Sequence, residues 1–197
     1  MIARLQANAA RDKLSGIEAH VMDGQNLDLP DDSFDAAASV FGLIFFPDRV
    51  RGLSEMQRVL RPGGKAVLAT WSTPPRVAVV SLFSDAVRDA MPDMPTPTDA
   101  PAIFSFADPA RIEAEAREAG FSDVKTTSVT HMWRMPTPEH VWTDLAPASP
   151  VFQHILDKLD DDERERVRLA VIAHASKAMR DGVVELPGEA HIAVLTA

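Results

Sequence analysis

Six histidines, 29 carboxylates and no cysteine set the side-chain chemistry open to this 197-residue chain. Thiolate nucleophiles, disulfides and thiolate metal sites are excluded. His20, His131, His140, His154, His174 and His191 form neither a His-x-His nor a His-Glu-x-x-His arrangement, so no metal site is expected. A Gly-x-Ser-x-Gly elbow and a phosphate-binding P-loop are absent as well. His131 is the candidate general base, because an imidazole titrates in the useful range. Trp133 and Trp142 flank the His131/His140 region and could cap a substrate; the competing reading is ordinary packing of an inserted helical segment. Asp23-Gly24 is a turn-forming pair that opens a polar loop reaching Ser33.

The elements that would position these groups alternate between strand and helix, which argues an α/β fold. Residues 2–14 have helical composition, with Gly16 as the expected cap. Residues 17–22 partly alternate and predict a strand. Residues 34–40, with Ala36-Ala37-Ala38-Ser39, predict a strand covered on both faces, as in parallel sheets. Pro47 is expected in the first turn of a helix whose apolar face is Val50, Leu53, Met56, Val59 and Leu60. Pro62-Gly63-Gly64 breaks it before a buried strand at 66–71. Further on come a helix at 77–91, a proline-rich loop at 92–101, and a helix capped by Asp108-Pro109 and closed by Gly120. A long strand at 121–135 follows, then helices within 138–180, of which the last carries Asp160-Asp161-Asp162-Glu163 at its positive end. A final strand at 183–197 has an expected bend or bulge at Pro187-Gly188.

The block from Asp23 to Trp71 resembles the middle of a class I methyltransferase that uses S-adenosylmethionine. The resemblance rests on Asp23-Gly24-Gln25, Leu29-Pro30 and Phe34-Asp35, and on Arg61-Pro62-Gly63-Gly64-Lys65 before the strand ending at Trp71. It implies a Rossmann-like methyltransferase sheet with a helical insertion at 138–180 before the last strand, in one partial domain over 1–197. It implies that Asp23 accepts from the adenine amino group and that Gly24 and Gln25 offer backbone N–H groups to the ring. Phe41 would line the methyl-donor pocket, and Phe45 and Phe46 are expected to pack under the next helix. In that family a glycine-rich loop precedes this block by several dozen residues. Here the block begins near residue 17 and no two glycines are spaced Gly-x-Gly. The reading is therefore an N-terminally truncated sheet: a late start, a site completed by a partner chain, or a remnant kept for another role. Hydrogen bonds to charged groups contribute roughly 1.5–3 kcal/mol each, so losing two or three would weaken cofactor binding about a thousandfold.

The expected function is methyl transfer from S-adenosylmethionine to a small-molecule acceptor; the alternative is a non-catalytic oligomerisation or interaction protein derived from such an enzyme. A net charge of −9 with no Lys/Arg run argues against nucleic acid. No apolar run approaches spanning length, so no membrane partner is expected. A cytoplasmic location follows from the missing cysteines and signal pattern. A homodimer is expected, because a sheet without its first two strands leaves an open apolar edge.

Overall fold

The computed structural model describes residues 2–94 and 102–197. Its elements are α1 (Ile2–Arg11), β1 (Phe34–Val40), α2 (Arg49–Val59), β2 (Leu60–Trp71), α3 (Ala78–Ala90), α4 (Pro109–Glu118), β3 (Asp123–Met135), α5 (Pro138–His140), α6 (Pro150–Leu156), α7 (Asp161–Lys177), β4 (Met179–Arg180) and β5 (Val183–Thr196). One open sheet runs β1-β2-β5-β3, with the short β4 also on β5. β1 and β2 are parallel; β5 runs antiparallel to both β2 and β3. Most of the proline-rich loop expected at 92–101 lies outside the described residues.

Local signals explain most element ends. Asp48 caps α2 by accepting from the Arg51 N–H, so Pro47 stands one residue before the cap and not in the first turn. Asp108 accepts from Ala110 N–H with Pro109 at the first helical position. Asp160 and Glu163 form a reciprocal capping box at α7. Gly63 has φ +80, a conformation that a side chain would strain, and the β1–β2 register shifts beside it, so β2 starts at Leu60 and not at 66.

Four expectations are corrected. α1 stops at Arg11: Leu14 N–H reaches Ala9 C=O and Lys13 N–H reaches Ala10 C=O, a Schellman ending with Lys13 at φ +54, so Gly16 is not the cap. Residues 17–22 are not a strand, because no strand lies beside them to complete a ladder; the nearest pairing is the Asp23–Asn26 bridge. Pro187-Gly188 makes no bulge against β3, since Pro187 pairs with Met132 and Gly188 with His131 in unbroken register. The proline is tolerated there because the β2 ladder ends at Ala190, leaving Pro187 beyond it.

The fourth concerns the layers. α2 and α4 cover one face of the sheet, burying Ala66, Leu68, Ala193 and Leu195 completely. The register puts Ala36, Ala38, Val40, Val67, Val129 and Val194 on the other face, where Val40 is 71%, Val129 50% and Val194 40% exposed. β1 is thus covered on one face, not two. α3 packs on β5 and against α7, with Val184 and Leu186 of β5 buried and Val167, Val171 and Ala175 fully buried along α7.

Candidate functional site

β1 and β2 end side by side at Val40 and Trp71, and in open parallel sheets the carboxyl ends of strands are where sites form. Phe41 turns the chain out of β1 with φ +53, rare for a bulky residue, while its N–H still donates to Ala69 C=O at 2.9 Å. Its ring stacks on Trp71 with centroids 4.3 Å apart and planes 26° apart. Trp71 meets Trp133 of β3 edge to face at 5.9 Å. Three half-buried rings therefore run from the end of β1 across the sheet toward β3.

The turn at Asp23 docks on the chain leaving β1. Asp23 Oδ1 accepts from Gln25 N–H at 2.9 Å, and Asn26 N–H donates to Asp23 C=O at 3.0 Å. Gln25 Oε1 accepts from Asp48 N–H at 2.7 Å, and Arg51 Nε donates to Gln25 C=O at 3.0 Å. Gly24 lies on the Phe46 ring so closely that a Cβ would come within 2.3 Å of it. That packing alone demands glycine.

From this turn the chain returns to β1 along α2, held by one ion-pair network. Glu55 Oε2 accepts from Leu27 N–H at 2.7 Å, and Arg58 donates to Glu55, to Asp31 and to the carbonyls of Leu27 and Leu29. Glu55 is 7% exposed. Its bond from Arg58 holds its carboxyl below the usual carboxylate range, against the opposing effect of burial. A depressed folded value contributes stability above the unfolded value, near 4.3, that is lost as pH falls through the folded one. Glu55→Gln is therefore expected to remove part of the acid-induced loss of stability. Urea midpoints measured from about pH 5 down to about pH 3 should fall less steeply in the variant than in the parent.

Of the five site candidates, Asp23, Gly24 and Gln25 share one turn, and Phe41 stands apart from them on Trp71. Asp23, Gly24 and Gln25 sit against residues 46–51, which follow Phe41 at the carboxyl end of β1. In this arrangement Gln25 N–H is spent on Asp23, so the turn-forming role of Asp23 is realised, and its second carboxylate oxygen is what an adenine amine could use. His131 stands apart. It is exposed, opposite Gly188 on β3, three strands from β1 and so roughly 14 Å across the sheet at ~4.8 Å per strand. It shares a face with Trp133 two residues on. Phe46 packs on Gly24 and Gly52, but Phe45 is 52% exposed and does not pack under the helix as expected. Trp142 packs edge to face on Phe152, the ordinary-packing reading. Among the described residues no cluster of three or more potential metal ligands occurs.

Sequence reasoning missed Trp71 as a site residue and missed Thr70. Thr70 Oγ1 is a buried hydroxyl with no hydrogen-bond partner among the described residues, one position before Trp71. The signal was present: Thr70-Trp71 closes a strand that the pattern already marked as buried.

Comparison with known proteins fits this geometry. Residues 1–68 match the family of methyltransferase domains called Methyltransf_11. A demethylmenaquinone methyltransferase of Mycolicibacterium vanbaalenii is 33% identical over 140 residues, covering 66% of this chain and 59% of that protein. The chain thus spans less than two thirds of the length of that curated relative. Among solved structures, the YcgJ protein of Bacillus subtilis superposes with a TM-score of 0.52 at 15% identity, covering all of this chain and 77% of that one. Phosphoethanolamine N-methyltransferase 2 of Haemonchus contortus, solved with S-adenosylhomocysteine, superposes with a TM-score of 0.52 at 17% identity over 99% of this chain and 41% of that one. The fold is the Rossmann-like one of methyltransferases. By sequence, residues 1–68 are similar to the methyltransferase domains of that family.

Proposed function

We propose that this chain provides the adenine side and the acceptor side of an S-adenosylmethionine-dependent methyl transfer to an apolar, ring-containing small molecule. The observation that carries the reading is the docking of the Asp23–Asn26 turn onto residues 46–51 of the chain that leaves β1. Sequence relatedness to a demethylmenaquinone methyltransferase supports an aromatic acceptor.

The residues fit the cofactor in part. The second oxygen of Asp23 can accept from an exocyclic amine. Gly24 keeps the backbone close to Phe46, which walls the turn. A Gly-x-Gly loop for the methionine end is not among these residues, so binding by this chain is expected to be weak. When bound, S-adenosylmethionine supplies an electrophilic methyl group for in-line displacement. Phe41, Trp71 and Trp133 orient a planar acceptor by stacking and keep water from that side. His131 is proposed as the group that takes a proton from the acceptor; it lies opposite Gly188, on the sheet face that carries Trp71 and Trp133. A homodimer in the cytoplasm is part of the same proposal, since each free sheet edge can be covered by a second copy.

The test is transfer of a radiolabelled methyl group to reduced 1,4-naphthoquinone, read after extraction into organic solvent. Trp71→Ala is expected to lower acceptor-dependent transfer about tenfold, the scale of one aromatic contact with its buried area. It should also abolish most of the tryptophan quenching that the ring causes without cofactor. Unchanged transfer and quenching would remove the aromatic group from the acceptor site.

A further inference from the structure

The chain leaves β2 just after Trp71, and it is fastened there to two consecutive residues of β5. The β2–β5 ladder ends at Trp71 and Ala190. Ser72 then donates twice to Glu189: its N–H to the Glu189 carbonyl at 3.1 Å and its Oγ to Glu189 Oε1 at 2.7 Å. Further on, Val77 makes an isolated antiparallel bridge to Gly188. Gly188 also lies under the aromatic row, where a Cβ would come within 3.8 Å of both the Trp71 and the Trp133 rings. Ser72 is 3% exposed and the Glu189 side chain 16%. The other Glu189 oxygen is 3.5 Å from Arg76 Nη1, at the limit of a hydrogen bond, and that arginine is mostly exposed. The bond from Ser72 Oγ is therefore the short, charge-assisted one that holds the carboxylate in place.

We propose that Glu189 is a positioning residue: through Ser72 it fixes the end of β2, and so the angle at which Trp71 faces a ring-containing acceptor. This rests on Phe41, Trp71 and Trp133 being the acceptor side. Strand alternation puts Ser72 and Glu189 on the face opposite Trp71, so the bond acts on the indole through the backbone and not by contact. Trp71 stands between Thr70, held in the β2–β5 ladder, and Ser72, held by Glu189. Its indole meets Phe41 face to face and Trp133 edge to face. A twist at Ser72 would turn the ring on which the acceptor stacks, and a misplacement on the order of 1 Å can cost roughly a hundredfold. Apolar residues could close this turn as well as a mostly buried carboxylate does. What the carboxylate adds is direction, a short O–H···O bond with one favoured geometry.

Quenching of tryptophan fluorescence by 1,4-naphthoquinone, titrated on the full chain without cofactor, reads the placement of Trp71. Glu189→Ala and Ser72→Ala are each expected to raise the half-quenching concentration about tenfold, and the double variant no further, because the two side chains form one bond. Glu189→Gln keeps an oxygen that accepts from Ser72 Oγ and should stay close to the parent. A purely structural role would lower the urea midpoint of Glu189→Ala and leave the half-quenching concentration of the folded chain unchanged. That result, with quenching lost in Trp71→Ala, would overturn the positioning role and leave the acceptor reading standing. Glu189→Gln as impaired as Glu189→Ala would overturn it too, since the charge and not the bond would then matter. Quenching retained in Trp71→Ala would overturn the acceptor reading and the positioning role with it.

Discussion

Arg49→Ala is expected to destabilise the fold by about 3 kcal/mol or more, measured as a lowered urea midpoint with unchanged slope. Arg49 donates through Nε and Nη2 to the two oxygens of Glu115, each at 3.0 Å, a two-pronged bond between α2 and α4. The two side chains are 19% and 12% exposed. The guanidinium carbon also lies 5.4 Å from the centre of the fully buried Phe106 ring. These are the helices that cover the closed face of the sheet. Burial pushes the Glu115 carboxyl up, but Arg49 and Arg111 together hold it below its usual range. Removing Arg49 leaves a buried carboxylate with Arg111 alone, so the loss should fall at the lower end of what breaking a buried pair costs. The sign with pH follows. Glu115 contributes stability above the unfolded carboxylate value, lost as pH falls through its lowered folded value, and Arg49→Ala should flatten that part of the curve. A loss under about 1 kcal/mol would mean that the pair acts as an exposed one does.

Asp23→Ala is expected to weaken S-adenosylhomocysteine binding by about 1–3 kcal/mol, roughly five- to 150-fold. The residue has two duties. One oxygen holds the turn through Gln25 N–H, and the other is what the adenine amine would meet. Asp23→Asn separates them. An amide oxygen can still accept from Gln25 N–H, but the amide nitrogen cannot accept from an amine. If both variants weaken binding alike with the fold intact, the carboxylate makes the contact. If Asn restores what Ala loses, Asp23 is a turn former only.

What could be read in the sequence was what is decided locally. Asp108-Pro109 and Asp160 announced two helix starts because a cap and its N–H lie within three residues. The apolar face of α2 was visible from Val50, Leu53, Met56 and Val59 at helical spacing. Residues 17–22 misled because alternation shows which side chains could line a strand, whereas a strand also needs a neighbour. Ala36 and Ala38 misled similarly: small side chains permit a covering layer without supplying one. The aromatic row was hidden because it depends on sheet order, since β3 reaches β2 only through β5 at the end of the chain. Arg49 and Glu115 stand 66 residues apart, beyond any local pattern. Asp23, Gly24 and Gln25 were found through family resemblance, but the reason for Gly24 came from Phe46, twenty-two residues on.

The central claim is that the turn at Asp23 and the chain leaving β1 form the adenine side of an S-adenosylmethionine site. Calorimetry of the purified chain with S-adenosylhomocysteine tests it most directly. The account predicts weak, saturable binding that Asp23→Asn diminishes without altering the urea midpoint. No heat of binding up to millimolar concentration, or a titration indifferent to Asp23, would contradict it.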